Sequence, residues 1–205
     1  RAGATWCRCT TRHLGTVDAS RILALAATAR ELAEADGWRR LCCGVGPVDA
    51  AAVVAAALAA DRPAAILHVG IAGARRASGL TPPALVIGTA AIYCDLGVPE
   101  HFAPHRLSPD AALLAAARRA LRAAAALPIG TSGRVGATRG CDVEAMEGFA
   151  VLRAAALAGV PALEVRAVSN AIEDTDRAAW RFDEAFAAIV GATPALVREI
   201  ASCVR

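Results

Sequence analysis

Four polar residues in the second half of the chain have the types and spacing that could do chemistry. Glu144 and Glu147 lie in VEAMEG, and Ser169 and Asn170 end the run EVRAVSN. A carboxylate can accept hydrogen bonds from two neighbouring hydroxyl groups, and an amide can both donate and accept. A helix start and a strand end can line one cleft, so the pattern indicates a site for a small polar molecule such as a nucleoside.

A simpler interpretation is that these residues only serve the fold. The two glutamates would lie on one face near the start of a predicted helix, where the helix dipole favours carboxylates. His68 taken alone is more typical of a buried core histidine than of a catalyst. Trp180 is interpreted as a packing residue and Asp176 as a cap or turn residue.

The elements that would position these residues alternate between strands and helices. Continuous apolar runs typical of buried strands occupy residues 21–27, 39–46, 63–74, 83–93 and 160–170. Helical patterns occupy residues 47–62, 108–126, 143–159 and 180–204, with a short helix or turn at 28–37. We expect Ser108 to cap the second long helix, and the last to bend or split near Gly191 and Pro194.

This alternation predicts an α/β fold. We expect a single domain over residues 21–205, with a central mixed, mainly parallel sheet flanked by helices. Residues 1–20 show no period and are predicted to be an N-terminal extension of uncertain structure.

Two glycine-rich segments bear on ligand binding. GVGPVDA (44–50) fits a dinucleotide fingerprint only in part, because Asp49 stands where the third glycine belongs and would repel a pyrophosphate. HVGIAGA (68–74) is predicted as a glycine loop at the carboxyl end of a buried strand, where open α/β sheets bind ligands.

Composition excludes several classes of function. The chain has 205 residues, 56% hydrophobic and 20% charged, which argues against disorder. Its net charge of +3 comes from scattered arginines, so no nucleic-acid partner is expected. No apolar run reaches the length of a membrane span and no signal-peptide pattern is present, so we expect a cytoplasmic protein without a membrane partner. The seven cysteines, without a CxxC pair, are predicted to be mostly buried thiols.

Several of these stretches together resemble the nucleoside phosphorylase and nucleosidase superfamily over about residues 21–200. The stretches that carry the resemblance are AATARELA, GVGPVDAAAVVAAAL, PAAILHVGIAGA, VIGTAAIYCDLG and AMEGFAVLRAAALAGVPALEVRAVSN. Within the superfamily, the chain looks most like the futalosine hydrolases of the alternative menaquinone route. The methylthioadenosine/S-adenosylhomocysteine nucleosidases come next.

The resemblance implies roles for individual residues. It makes Glu31 in TARELA the acid/base that activates water, with Glu34 one helical turn away as the alternative register. It makes Asn170 the second catalytic residue, meeting the base near N7 together with Ser169.

The remaining implied roles concern substrate binding. Met146 and Glu147 would hold the ribose, and Ile71 and Ala72 would also contact the substrate. The resemblance implies a homodimer that acts without metal or cofactor.

Three residues indicate which reaction and which base. Phosphorylases of this superfamily place an arginine and a serine around the glycine segment, whereas His68 and Ile71 stand at those positions here; a branched apolar side chain cannot donate to an oxyanion. Water is therefore the expected nucleophile. Asn170 replaces the aspartate of adenine-cleaving enzymes, which favours a 6-oxopurine.

Two alternatives stay open from the sequence. One is a nucleosidase that releases adenine, and the other is a non-catalytic relative that only binds purine nucleosides. Both use the same predicted site, so they differ in what happens to the bound nucleoside.

Overall fold

The computed structural model describes residues 18–204. The predicted N-terminal extension lies almost entirely outside these residues. The strands are β1 (Ile22–Ala26), β2 (Arg39–Cys42), β3 (Ala65–Ala74), β4 (Leu85–Tyr93), β5 (Arg106–Leu107), β6 (Ala125–Thr131), β7 (Val143–Ala145) and β8 (Ala162–Ala171). The α-helices are α1 (Pro47–Ala60), α2 (Ala111–Ala120), α3 (Gly148–Ala158) and α4 (Phe182–Cys203).

All eight strands belong to one sheet with the order β2-β1-β3-β7-β6-β4-β5, and β8 pairs with both β3 and β4. Five strand pairs are parallel: β1–β2, β1–β3, β3–β8, β4–β6 and β6–β7. Three are antiparallel: β3–β7, β4–β5 and β4–β8. The predicted single α/β domain with a mixed, mainly parallel sheet is therefore confirmed. Because β8 bridges β3 and β4, five strands form a closed circuit around the sheet's centre.

Helices cover the sheet on two sides. One apolar cluster contains Leu25, Ile66 and Val54 with residues of α3, so it joins β1 and β3 to α1 and α3. The other contains Leu113 and Ile189 among residues of α2 and α4. Helix α4 is long and apolar enough to cross a membrane by length and composition alone, so the expectation that no apolar run reaches that length is wrong. Its buried side packs on β3, β8 and α2, as in the core helix of a globular domain.

The helix predicted over 108–126 is shorter and begins differently. It ends at Ala120, and residues from Ala125 onward form β6, which the sequence reading missed. Its cap is Asp110, whose Oδ1 accepts from the N–H groups of Ala112 (2.9 Å) and Leu113 (3.1 Å), and not Ser108. A run of alanines shows no apolar–polar period that would distinguish a helix from a buried strand. The predicted helix therefore extends into residues that form β6.

The stretch that holds the two glutamates was predicted entirely as helix, and this is wrong. Val143–Ala145 is the short strand β7, and α3 begins only at Gly148 with Glu147 as its N-cap. Glu144 therefore belongs to a strand, and the two carboxylates do not share a helical face.

Two further expectations are corrected. Residues 68–74 are not a loop, because β3 continues through Ala74, pairing there with β7 and β8. Helix α4 runs through Gly191 and Pro194 without a split, since Ile189, Leu196 and Ile200 stay buried along one side.

Candidate active site

A cavity of about 200 Å³ opens where the carboxyl ends of β1, β3 and β8 meet β7. All seven predicted site residues line it, namely Glu31, Ile71, Ala72, Met146, Glu147, Ser169 and Asn170. Glu144, which the sequence analysis also names as a candidate for chemistry, lines the cavity as well. Further lining residues, to which the sequence analysis gave no site role, include Thr28, Val45, Arg134, Val135, Arg166, Trp180 and Phe186. The sheet thus brings together predicted site residues that are up to 139 positions apart in the chain, Glu31 and Asn170.

Glu31 is held at the cavity by a 3-10 turn that follows β1. Its Oε2 accepts from the backbone N–H and the hydroxyl of Thr28, both at 2.9 Å. Its Oε1 accepts from the N–H of Ile71 at 3.2 Å. The side chain is buried yet lines the cavity. Glu34, the alternative, instead points to solvent and pairs with Arg40 at 3.3 Å.

Arg166 is the largest fully buried side chain among the described residues. Its Nε donates to Glu164 Oε1 at 2.8 Å and its Nη2 to Glu147 Oε2 at 3.3 Å. Its Nη1 reaches the carbonyl oxygen of Ile71 at 3.4 Å. This arginine is the main functional candidate to which the sequence analysis gave no role.

Gly70 on β3 makes room for this arrangement. A Cβ on Gly70 would overlap Arg166 Nη1 and would lie only 2.9 Å from Glu31 Oε1. The carboxylate and the guanidinium therefore approach the same face of β3 within the reach of one small molecule. A glycine is needed here for close approach and not for an unusual backbone angle.

Glu147 links three elements at the cavity. Its Oε1 accepts from the N–H of Gly46 at 3.0 Å, and its Oε2 accepts from Arg166. Gly46 has a φ of 90°, a conformation that favours glycine, and this turns its N–H toward the carboxylate. Each carboxylate oxygen keeps a lone pair for a further donor.

Ser169 and Asn170 form a fixed polar pair at the end of β8. The Ser169 hydroxyl donates to Asn170 Oδ1 at 2.7 Å, and Asn170 Nδ2 donates to the carbonyl of Ala171 at 2.9 Å. These bonds define which end of the amide is oxygen. One N–H and one lone pair of Asn170 remain for a ligand.

Glu144 anchors the segment that connects β6 to β7. Its Oε1 accepts from the N–H of Gly136 at 2.6 Å, and its Oε2 accepts from the Thr138 hydroxyl at 2.6 Å. Both Glu144 Cγ and Asn170 Nδ2 lie within 3.5 Å of a Cβ built on Gly73. The segment is therefore pinned beside Asn170, and it brings Arg134 and Val135 to that end of the cavity.

Charges at the site are strongly coupled. Burial opposes the charge on Arg166, but Glu164, Glu147 and Glu31 together outweigh burial and raise its pKa. Burial raises the pKa of Glu164, and the nearby Arg166 only partly offsets this. Burial and then Arg166 lower the pKa of His68 well below its usual range, so His68 is neutral near pH 7.

The two arginines that follow the glycine segment bond residues outside the cavity. Arg75 donates from Nε to the carbonyl of Cys141 at 3.0 Å and also bonds the carbonyl of Thr138. Arg76 pairs with Asp174. Neither side chain is among the described residues that line the cavity.

The remaining single-residue expectations have mixed outcomes. His68 is a fully buried core residue, as expected. Asp176 caps the short turn 177–179, also as expected. Trp180 packs near Phe182 but also lines the cavity, so packing is only part of its role.

The predicted burial of the cysteines holds for only some of them. Of the cysteines that the structure describes, Cys43 and Cys141 are buried, Cys94 and Cys203 are half-buried and Cys42 is exposed. Cys7 and Cys9 lie outside the described residues. Within residues 18–204, no group of three or more His, Cys, Asp or Glu side chains is arranged to hold a metal ion.

Comparison with known proteins gives consistent similarities. A family profile described as the phosphorylase superfamily matches residues 40–140. A futalosine hydrolase from Streptomyces coelicolor is 38% identical, with 77% of each chain covered.

Solved structures share the fold. A methylthioadenosine/S-adenosylhomocysteine nucleosidase from Streptococcus pneumoniae, in complex with 8-aminoadenine, superposes with a TM-score of 0.76 at 20% identity, covering 87% of this chain and 99% of that one. A futalosine hydrolase from Helicobacter pylori has a TM-score of 0.76 at 13% identity, covering 87% and 97%.

Proposed function

Because this chain belongs to the futalosine hydrolase family of the phosphorylase superfamily, we propose that it hydrolyses the N-glycosidic bond of futalosine. The products would be hypoxanthine and dehypoxanthine futalosine, a step of menaquinone biosynthesis. The observation that carries the proposal is the convergence of Glu31, Arg166 and Glu147 on one cavity that ends at Asn170. The first three groups suit a ribosyl centre attacked by water, and Asn170 suits a purine.

Water activation is assigned to Glu31. Three donors fix the orientation of its carboxylate, so its remaining lone pair has a defined direction. A water between Glu31 Oε1 and Arg166 Nη1, over Gly70, would donate a proton to the carboxylate and accept from the guanidinium. General base catalysis of this kind contributes about 10²- to 10⁴-fold to a rate.

Ribose binding is assigned to Glu147, with Met146 beside it. The free lone pairs of its two oxygens match the 2′- and 3′-hydroxyls of a ribose. Ribosyl transfer passes through an oxocarbenium-like state, and bonds from the sugar hydroxyls to a carboxylate strengthen as positive charge develops. Arg166 and the Gly46 N–H hold Glu147 still, so the carboxylate is oriented before the substrate arrives.

Base recognition is assigned to Asn170. Its spare N–H can donate to the 6-oxo group or N7 of hypoxanthine, and its spare lone pair can accept from a purine N–H. An aspartate here would place an oxygen against the Ala171 carbonyl at 2.9 Å and would therefore have to be protonated. This contact therefore favours an amide at position 170, and the free N–H of that amide suits the 6-oxo group of a 6-oxopurine.

The arrangement of cations supports water over phosphate as the nucleophile. Arg166 already faces three carboxylates, and Arg75 and Arg76 are bonded away from the cavity. Ile71 offers the cavity a branched apolar side chain, and its N–H donates to Glu31. A phosphate dianion would meet the carboxylates of Glu31 and Glu147, and the other arginine that lines the cavity, Arg134, lies at the Asn170 end.

The same proposal covers assembly and location. We expect a homodimer in the cytoplasm that acts without metal or cofactor on a small-molecule purine nucleoside. The free thiols among the described residues fit a reducing compartment. The Phe102 ring, 75% exposed beside His101, is the kind of side chain that a subunit interface covers. Sedimentation velocity tests the dimer.

The test of the enzyme assignment is Glu31→Gln, with Glu34→Gln as the matched control. We expect Glu31→Gln to bind futalosine in calorimetry yet lose about 10²-fold or more in kcat. Glu34→Gln changes an exposed residue and should keep both. A wild-type protein that binds purine nucleosides and turns none over would support the non-catalytic alternative. Adenine release from methylthioadenosine would support the other alternative.

A further inference from the structure

Two cysteines meet beside the segment that lines the Asn170 end of the cavity. Cys94 directly follows β4, and Cys141 lies two residues before the start of β7. They flank β6 at Gly130, where a Cβ would lie 2.9 Å from Cys94 Sγ and 3.2 Å from Cys141 Cβ. Any residue larger than glycine at position 130 would fill the space between the two cysteine side chains.

Cys94 has the surroundings of a reactive thiolate. The Cys141 thiol donates toward its sulfur and lowers the pKa of Cys94 to about 7, and backbone N–H groups of Arg139 and Thr131 act in the same direction. Burial and the neighbouring Asp95 oppose the ionisation. Cys94 is half-buried, whereas Cys141 is 7% exposed. A half-buried thiol that has a lowered pKa and lies beside a second thiol has the properties expected in a redox-active pair.

Cys141 is suited to act second. Its hydrogen bond to Cys94, burial, and the charges on Cys94 and Asp142 raise its pKa, whereas Arg106 lowers it. Once Cys94 is no longer a thiolate, the hydrogen bond and the charge that hold the Cys141 proton are removed. Its backbone is fixed by the bond from Arg75 to its carbonyl, so the thiol stays beside Cys94.

We propose that Cys94 and Cys141 form a thiol–disulfide site that reacts with low-molecular-weight disulfides and ties the 132–141 segment to the end of β4. The Cys94 thiolate attacks a disulfide RSSR, forming a mixed disulfide and releasing RS⁻. The Cys141 thiolate then attacks Cys94 Sγ and releases the second RS⁻. The two protein thiols lose two electrons and two protons, and RSSR becomes two RSH.

The Cys94–Cys141 disulfide would affect the cavity through the 132–141 segment, whose position it would fix. That segment carries Arg134 and Val135, which line the cavity, and Thr138, which bonds Glu144. The elements that hold Glu31, Arg166 and Glu147 carry neither cysteine. The expectation for turnover rests on the proposed function. We expect the KM for futalosine to differ at least threefold between cross-linked and reduced protein, with kcat within about twofold.

The experiment treats the whole protein with oxidised glutathione at pH 7.5 and maps the cysteines by mass spectrometry. We expect a peptide that links Cys94 to Cys141, a loss of two hydrogens in mass, and reversal by dithiothreitol. Cys141→Ser should stop at the glutathione adduct on Cys94, and Cys94→Ser should form neither product. Cys203→Ser is the matched control and should behave as wild type.

Three results would overturn the inference. One is faster reaction of the exposed Cys42 than of Cys94 with glutathione disulfide. Another is the absence of the Cys94–Cys141 peptide from a sample shown to be folded by circular dichroism. The third is an unchanged KM in fully cross-linked protein, which would refute the connection to the cavity. The mass readouts need no turnover, so they stand even where the proposed reaction fails.

Discussion

The contact between Gly70 and the Glu31–Arg166 pair makes Gly70→Ala the most informative single substitution. The added methyl would overlap Arg166 Nη1 and lie 3.2 Å from its Cζ and 2.9 Å from Glu31 Oε1. Ordinary carbon contacts are about 3.5–4.0 Å, so the guanidinium has to move by on the order of 1 Å. Arg166 is fixed by Glu164 and Glu147 and cannot swing away freely.

The expected cost has two parts. A displacement of about 1 Å in a positioning group lowers a rate by about 10²-fold, which corresponds to roughly 2.7 kcal/mol in kcat/KM. Overpacking of this kind also lowers the free energy of unfolding by about 1–3 kcal/mol. Because Glu147 shares Arg166, part of the loss should also appear in the KM for futalosine.

The assay compares Gly70→Ala with Gly191→Ala, using hypoxanthine release and urea unfolding. Gly191 is in α4, and a Cβ there meets nothing within 4 Å. Alanine should therefore stabilise the helix by up to about 1 kcal/mol and leave kcat/KM unchanged. A folded Gly70→Ala protein with kcat/KM within threefold of wild type would refute the placement of Arg166 beside the attacking water.

Three further predictions concern pH dependence and binding. His68 is neutral in the folded protein but titrates near pH 6.5 when the chain is unfolded. The wild-type free energy of unfolding should therefore fall below that pH by up to about 1.4 kcal/mol per pH unit. His68→Gln should lose this pH dependence when unfolding is followed in urea titrations. Ser169→Ala removes the donor to Asn170 Oδ1, a bond of net value about 0.5–1.5 kcal/mol, and should raise the KM for futalosine about three- to tenfold at similar kcat. Thr138→Val removes the 2.6 Å bond from the hydroxyl to Glu144 Oε2 and leaves only the 3.4 Å bond from the backbone N–H of residue 138. We expect a loss of about 1–3 kcal/mol in chemical denaturation and a higher KM; unchanged values would contradict a pinned segment.

Much of the sheet and the cavity could be anticipated from the sequence because apolar runs mark buried strands. The predicted strands all exist, and the seven predicted site residues share one cavity. Arg166 was missed as a site residue because its role depends on Glu147, Glu164 and Gly70, which only tertiary folding brings together. Gly70 looked like a loop glycine for the same reason.

The errors fall where short strands lie within alanine-rich sequence. β7 has three residues, too few for a period-two pattern, so it was absorbed into the helix that follows. β6 begins with alanines that continue the apparent helix before it. In both cases pairing with neighbouring strands, and not local propensity, determines the structure.

The central claim is tested most directly by chromatographic measurement of the free base. Purified protein would be incubated with futalosine, inosine, methylthioadenosine and S-adenosylhomocysteine, each with and without phosphate. The account predicts hypoxanthine from futalosine at a rate that phosphate does not change. Release that requires phosphate would contradict water as the nucleophile, and preferential release of adenine would contradict the assignment of Asn170 to a 6-oxopurine.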